Sequence, residues 1–275
     1  MAESLTLPKQ VIRKRVDSMC VFTAILILSA PLAAQRHPAI DPTKVIDLSY
    51  PFDNSTLYWP ASPPFAWNKD TWGKDAQGKW YASATFTTSE HGGTHIDSPI
   101  HFAEGQPGTA DIAVRQLIGT AAVIDVTTQA SRNPDYLLTT ADLERLESRH
   151  GRLTSGDIVL IRTGWGKRWP DAKSYLGTAK RGDTAGLRFP GISEPAARQL
   201  AARRVKGVGI DTASIDYGRS KDFLAHRVLN GAGIYALENI ANLDRLPETG
   251  ATLIALPVKI AGGSGGPVRI IAILP

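Results

Sequence analysis

The segment from His91 to Phe102 places the strongest constraint on how this 275-residue chain can fold. It reads HGGTHIDSPIHF, so three of the six histidines and one aspartate fall within eleven positions. The intervening glycines, β-branched residues and proline disfavour a helix. In an extended chain, alternate side chains face the same side. All four polar positions are odd-numbered, which predicts that they share one side: His91, His95, Asp97 and His101.

The spacing of the first two histidines also requires a bend. At roughly 3.3 Å per residue, His91 and His95 would lie about 13 Å apart on a straight strand. Two imidazoles that share a metal ion each lie about 2 Å from it, so a straight strand is excluded for a metal site. The pair Gly92-Gly93 is where the backbone can turn.

Two histidines and a carboxylate on one side predict a divalent metal site. His95 and Asp97 are about 6.6 Å apart along a strand face, a gap that converging side chains can close. Pro99 permits a second bend that would bring His101 over the site. Three protein ligands leave positions for water, as catalytic sites require. Histidines that are only hydrogen-bonded within the fold are the alternative, which the clustering disfavours.

The N-terminus has the order of a signal peptide. Basic residues at positions 9 and 13–15 precede an uncharged stretch, Val21–Ala34, which ends in small residues. This stretch is shorter than the roughly 20 residues of a membrane-spanning helix, which argues against a permanent anchor. We therefore expect residues 1–34 to be removed and residues 35–275 to form a secreted or periplasmic domain.

Charge and cysteine content narrow the function classes further. Residues 1–34 carry four basic and two acidic side chains, so their removal lowers the formal charge from +5 to about +3. A charge this small and dispersed does not indicate nucleic-acid binding. The only cysteine, Cys20, would be lost with the leader, which excludes an intramolecular disulfide or a thiol nucleophile.

Short apolar runs alternate with Gly- and Pro-bearing turns and intermix with helical stretches, which predicts an α/β domain with a mixed sheet. The predicted strands are Val45–Ser49, Tyr81–Ser89, Ala121–Val126, Asp157–Thr163, Gly207–Ile210, Thr252–Pro257 and Val268–Leu274. The predicted helices are Ile112–Leu117, Thr140–His150 with Thr140 as cap, and Ser193–Arg204.

A segment rich in proline and aromatic residues, from Tyr50 to Tyr81, precedes the histidine motif. It is interpreted either as an arm that packs on its own domain or a partner subunit, or as a pocket wall for a flat substrate. In the second case Trp59, Phe65 and Trp67 would stack on a planar aryl group. Both interpretations can hold together.

The histidine motif resembles the signature of the cyclase or kynurenine formamidase-like superfamily, which includes isatin hydrolases. The resemblance extends through VKGVGIDTASIDYG, AHRVLNGAGIYALENIANLDRLP and ALPVKIAGGSGGPVRIIA, and covers most of the chain from about Val45 onward. It implies a single domain of the swivelling β/β/α type with one or two zinc or manganese ions per subunit. It also implies a homo-oligomer, such as a homodimer or homotetramer.

The resemblance assigns roles residue by residue. His91, His95 and Asp97 match the ligands of the first metal, and His101 matches the acid/base histidine. Asp97 would bridge to a second metal held by His226 and Glu238. Without the resemblance, His226 would be interpreted as a surface or capping residue and Glu238 as part of a solvated turn.

The function predicted from these features is hydrolysis of a C–N bond in an aryl formamide, a lactam or a related cyclic amide. A divalent ion lowers the pKa of water and polarises a carbonyl, while His101 would shuttle the proton to the leaving nitrogen. The Gly262–Pro267 run lacks the Lys-Ser or Lys-Thr of a phosphate loop. It is either a tight turn or a loop whose Ser264 faces the substrate carbonyl.

Two other functions stay open at this stage. Two histidines and one carboxylate also describe the iron site of non-haem Fe(II) oxygenases. An exported domain that binds a metal or a ligand without catalysis is the second alternative.

Overall fold

The computed structural model describes residues 40–275, and the predicted signal peptide lies outside them. Within the described residues, no helix is long and apolar enough to cross a bilayer. The strands are β1 (Val45–Asp47), β2 (Ala66–Lys74), β3 (Trp80–Thr87), β4 (His95–Asp97), β5 (Ile118–Asp125), β6 (Leu137–Leu138), β7 (Asp157–Arg162), β8 (Gly191–Ile192), β9 (Gly207–Ile210), β10 (Tyr235–Glu238), β11 (Thr252–Pro257) and β12 (Gly265–Ile273). The α-helices are α1 (Thr127–Arg132), α2 (Thr140–His150), α3 (Ala172–Leu176), α4 (Glu194–Arg203) and α5 (Leu224–Gly231).

Eight strands form one mixed sheet in the order β1-β12-β11-β5-β7-β9-β10-β4. Strands β5, β7, β9 and β10 are parallel neighbours, and the other pairings in this sheet are antiparallel. Strand β12 is long enough to pair with β11 along most of its length and with β4 at its start, Gly265–Pro267. The sheet therefore closes into a barrel, and the predicted mixed α/β domain is confirmed.

The sequence of the central strands explains why both faces of the sheet are covered. In β7, Ile158 and Leu160 point to the barrel interior, while Val159 and Ile161 point to the helices. Such two-sided burial explains the nearly continuous apolar run of this strand. The helical layer contributes buried residues from three helices: Leu143 and Leu146 of α2, Ala196, Ala197 and Leu200 of α4, and Ala225 and Leu229 of α5.

The predicted helix Ile112–Leu117 is wrong. Only a 3-10 turn, Val114–Gln116, forms there, because the chain enters β5 at Ile118. Helix α2 spans the predicted residues, but its cap is Thr139 rather than Thr140. The Thr139 hydroxyl accepts from the Asp142 N–H, and the Asp142 carboxylate accepts from the Thr139 N–H. This reciprocal pair satisfies two N–H groups at the start of the helix.

The hairpin of β2 and β3 begins within the aromatic segment and continues past it to Thr87. Several of its rings are exposed in the chain, including Trp67, Trp72, Trp80 and Phe86. Phe65 packs against Phe52 and Phe86, with ring centroids 5.8 and 6.1 Å away. The hairpin is therefore an arm whose large rings are about half exposed or more within the described part of the chain.

A bidentate ion pair joins α2 and α4, and its removal should destabilise the fold in a pH-dependent way. Arg203 donates to Glu147 from Nε at 2.7 Å and from Nη2 at 2.8 Å. The Arg203 hydrogen bonds lower the pKa of Glu147. We expect Glu147→Gln to reduce the free energy of unfolding by about 1–2 kcal/mol at neutral pH, measured by urea denaturation.

The sign of the pH dependence follows from the lowered pKa. The stabilisation is present above the pKa of about 4.3 for an unfolded-state glutamate, and it is lost as pH falls through the lower folded-state pKa. The difference between wild type and variant should therefore close in acid. Glu144→Gln, an exposed position on the same helix, is the control. An equal loss at neutral and acid pH would contradict the assignment.

Candidate active site

The predicted bend between the first two histidines is present at the glycine pair. Gly93 has φ +57°, and its N–H donates to the Leu57 carbonyl at 2.9 Å. A β-carbon on Gly92 would collide with the Tyr58 ring. Glycine is thus required at both positions: Gly93 for its left-handed conformation and Gly92 for its close packing on Tyr58. The bend brings the His91 and His95 ring centroids to 5.5 Å.

Strand β4 lies between β10 and β12, and this placement brings distant residues to the motif. Glu238 of β10 is paired with His95 across the sheet. His95 Nε2 lies 3.2 Å from Asp97 Oδ1 and 3.5 Å from Glu238 Oε2. The antiparallel register therefore places a second carboxylate beside the motif, 143 positions after its partner histidine.

Helix α5 supplies a third imidazole. His226 Nε2 lies 3.1 Å from Asp97 Oδ2 and 3.2 Å from Glu238 Oε1. Its Nδ1 is 2.7 Å from Asp216 Oδ2, and the same carboxylate group accepts from the backbone N–H groups of Ala225 and His226. Asp216 thus both caps the first turn of α5 and orients His226. Sequence reasoning missed Asp216, because no regular spacing links it to the histidine motif.

His101 lies over the buried cluster formed by His95, Asp97, His226 and Glu238. It ends the 3-10 turn Pro99–His101, so the second predicted bend is also present, and its ring stacks on His91 with centroids 3.8 Å apart. Burial lowers the pKa of His101 to about 4, with Asp97 opposing this shift and the neighbouring imidazoles adding to it. A neutral imidazole at pH 7 can accept a proton.

Burying the charged side chains of the cluster costs free energy unless each charge is paired. Asp97, His95, His226 and Glu238 are each at most 4% exposed. Burial raises the pKa of Asp97, but its imidazole neighbours outweigh this and hold it well below the usual range. Burial and the charge of Asp97 raise the pKa of Glu238. Two adjacent buried carboxylates repel each other, and a cation between them would relieve the repulsion.

The nitrogen atoms of His95 and His226 fit a metal centre. His95 Nδ1 is 2.9 Å from the Gly93 carbonyl, while its Nε2 is buried without a hydrogen-bond partner among the described residues. His226 holds Asp216 with Nδ1 and turns Nε2 to the cluster. Metal-binding histidines characteristically donate their second N–H to a carbonyl or carboxylate in this way. Burial lowers the pKa of His95, but Asp97 and Glu238 outweigh it and raise that pKa to about 9, so this position attracts positive charge.

The ligand atoms fall into two groups that share Asp97. In each group, all ligand atoms lie within 4.8 Å of one another: His95, Asp97 and Glu238 in one, and His91, Asp97 and His101 in the other. The predicted assignment stays a prediction: His91, His95 and Asp97 hold a first metal, Asp97 bridges to a second metal held by His226 and Glu238, and His101 is the acid/base residue. Imidazole and carboxylate donors suit divalent ions including zinc and manganese.

A cavity of about 250 Å³ opens above the cluster. Its apolar walls include Leu57, Trp59, Phe102, Ala213 and Phe223, and no Lys or Arg of the described residues lines it. Of the predicted substrate-binding residues, only Trp59 lines this cavity. Phe65 and Trp67 border a separate depression beside the hairpin, because β2 and β3 form a two-stranded sheet of their own. Ser264 lies behind His91, where its hydroxyl contacts the imidazole instead of facing the cavity.

The family model described as "Putative cyclase" matches residues 46–217. An isatin hydrolase of Roseibium aggregatum is 34% identical over 209 residues, which span 73% of this chain and 78% of that protein. A kynurenine formamidase of Bacillus cereus is 31% identical over 229 residues, 82% of this chain and 95% of that protein. A crystal structure of an isatin hydrolase bound to the product analogue thioisatinate superposes with a TM-score of 0.77 at 31% identity, covering 84% and 92% of the two chains. The chain therefore belongs to the cyclase family.

Proposed function

We propose that this protein is a metal-dependent hydrolase that opens the C–N bond of a planar amide, either an aryl formamide or a cyclic amide of the isatin type. The observation that carries the proposal is the buried cluster around Asp97, with a free His95 Nε2, at the base of an aromatic-walled cavity. Isatin hydrolase and kynurenine formamidase relatives support hydrolysis over the oxygenase and non-catalytic alternatives.

The residues that would hold the metal are His91, His95, Asp97, His226 and Glu238. One ion would be held by His95, Asp97 and Glu238, and His91 and His226, which contact the two oxygens of Asp97, are the further ligands, while His101 is left as the proton carrier. A bound divalent ion, zinc or manganese, would polarise the substrate carbonyl and lower the pKa of water. The protein supplies a largely dry environment for this chemistry, because four of these side chains are almost fully buried below the cavity: His95, Asp97, His226 and Glu238.

His101 is the proposed proton carrier. Its neutral ring takes a proton from the attacking water and returns it to the amide nitrogen, which leaves poorly unless it is protonated. Stacking on His91 holds the ring over the cluster, and contact with Phe102 at 4.5 Å between centroids fixes its other side. This positioning keeps the proton acceptor at the boundary between the buried cluster and the cavity.

The cavity walls indicate the shape and charge of the substrate. Trp59 and Phe223 lie 6.0 Å apart between centroids, and Phe102 lies 5.3 Å from Phe223. These rings offer flat apolar surfaces on which an aryl group can stack. With no lysine or arginine among the described lining residues, the cavity favours a neutral ring system over a free amino acid.

Export and homo-oligomer formation stay predictions from the sequence.

Metal depletion tests the proposed function directly. The purified protein would be analysed for bound metals, stripped with a chelator, and assayed with isatin and N-formylaniline before and after addition of Zn²⁺ or Mn²⁺. We expect hydrolysis of at least one substrate, lost on stripping and restored by metal. Turnover that is unaffected by stripping, or oxygen consumption with Fe(II) and no hydrolysis, would contradict the proposal.

Removal of the proton carrier should separate catalysis from metal binding. We expect His101→Ala to lower kcat by about 10²–10⁴-fold while metal content is retained, because general acid–base catalysis contributes at this scale. His150→Ala is the matched control, since His150 is a surface histidine bonded to Glu248. Full activity in His101→Ala, or loss of the metal, would remove His101 from this role.

The two tryptophans predicted to bind substrate provide a matched pair. Trp59→Leu keeps apolar bulk but removes the indole that lines the cavity, so we expect KM to rise by about 5- to 10-fold. Trp67→Leu on the hairpin should leave KM within about twofold of wild type. An equal effect of both substitutions would contradict the assignment of the cavity as the substrate site.

A further inference from the structure

We propose that Glu90 and Ser264 form a positioning pair that fixes His91 as a metal ligand through Nδ1. The inference rests on the proposed metal centre and assigns a function to two residues outside the cavity. Glu90 Oε2 lies 2.5 Å from Ser264 Oγ, and Ser264 Oγ lies 2.9 Å from His91 Nε2. On the other side of the ring, His91 Nδ1 lies 2.6 Å from Asp97 Oδ1. The four groups form a continuous chain from the surface to the buried carboxylate.

The number of available hydrogens determines the direction of this chain. An ionised carboxylate only accepts, so the single hydroxyl hydrogen of Ser264 is donated to Glu90. Ser264 Oγ must then accept from His91, which places the imidazole hydrogen on Nε2. In the metal-bound protein the lone pair of a neutral His91 would consequently be on Nδ1, where the metal takes the place of the hydrogen that otherwise bridges Nδ1 and Asp97 Oδ1. His95 has the opposite tautomer, with Nδ1 bonded to a carbonyl and Nε2 free.

The loop that carries Ser264 is built to hold this position. The Ser264 N–H also donates to Glu90 Oε2 at 3.1 Å, and its carbonyl accepts from the Ser98 N–H at 2.8 Å. The Thr109 hydroxyl lies 3.1 Å from the carbonyls of both Gly263 and Gly265. Because the Ser264 N–H and hydroxyl are both engaged by Glu90, neither is free to bind a substrate oxyanion.

Two glycines allow the loop to approach the histidine closely. A β-carbon on Gly265 would lie 2.5 Å from His91 Cε1, and one on Gly263 would lie 2.9 Å from Glu90 Oε1. The glycine-rich run is therefore shaped around the Glu90 and His91 side chains. His91 has greater need of such support than His95, because its side chain is 25% exposed and that of His95 only 3%.

The effect of the pair should appear in metal affinity. Loss of a group that orients a metal-binding histidine typically weakens affinity by about 10- to 100-fold. We expect this loss in Ser264→Ala and Glu90→Ala, measured by competition of the full-length protein with a chelator for Zn²⁺. Glu90→Gln keeps an oxygen that can accept from Ser264, so it should retain most of the affinity. Glu104→Ala removes another exposed glutamate of the same charge and should bind as wild type does.

Two further measurements keep the test decisive. Thermal unfolding of the metal-free variants separates a positioning role from general destabilisation, since Tm should stay near that of wild type. Long-range ¹H–¹⁵N correlation of the zinc-loaded wild-type protein should show the His91 proton on Nε2. A proton on Nδ1, affinities of both alanine variants within twofold of wild type, or an equal loss in Glu90→Gln and Glu90→Ala would overturn the proposal. Failure of the proposed function is distinct, because wild type would then bind no metal or hydrolyse nothing.

Discussion

The rest of the site depends on the contacts that the Asp97 carboxylate makes inside the closed barrel. One oxygen faces His91 and His95, and the other faces His226. A carboxylate that is only 1% exposed is tolerated because imidazole groups surround it, yet Glu238 brings a second buried carboxylate to the same place. The two carboxylates raise the pKa of His95 and His226, and under the proposed function a divalent cation would take the place of the protons that balance this charge.

The barrel strands and the helical layer contribute different residues to the group around Asp97. In the barrel, β4 pairs antiparallel with both β10 and β12. This backbone pairing fixes the positions of His95, Asp97 and Glu238. The helical layer delivers His226 from the first turn of α5, where Asp216 holds both the backbone and the ring. Since neither the strands nor the helices contain all the ligands, the site exists only when the sheet has closed and α5 has docked on it. Formation of the proposed metal centre would thereby be coupled to folding.

The sequence was sufficient to predict those features of the site that depend only on neighbouring residues. The glycine pair and the alternation of His95 and Asp97 predicted the bend and the shared face, because both follow from φ preferences and strand periodicity. Glu238 depends on an interstrand register across more than a hundred residues, and the short strand that carries it gave no pattern of its own. Its assignment came from family resemblance alone. Trp67 was placed in the pocket because aromatic composition does not reveal that β2 and β3 pair with each other and not with the strands of the barrel.

Anomalous X-ray diffraction from crystals grown with Mn²⁺ or Zn²⁺ tests the central claim most directly. Data collected on both sides of the metal absorption edge would locate the ion without reference to activity. The account predicts a peak within about 2–2.3 Å of His95 Nε2 and an Asp97 oxygen, with Glu238 in the coordination sphere or bonded to it through water. Absence of any anomalous peak among these side chains, in crystals where the metal is present at saturating concentration, would contradict it.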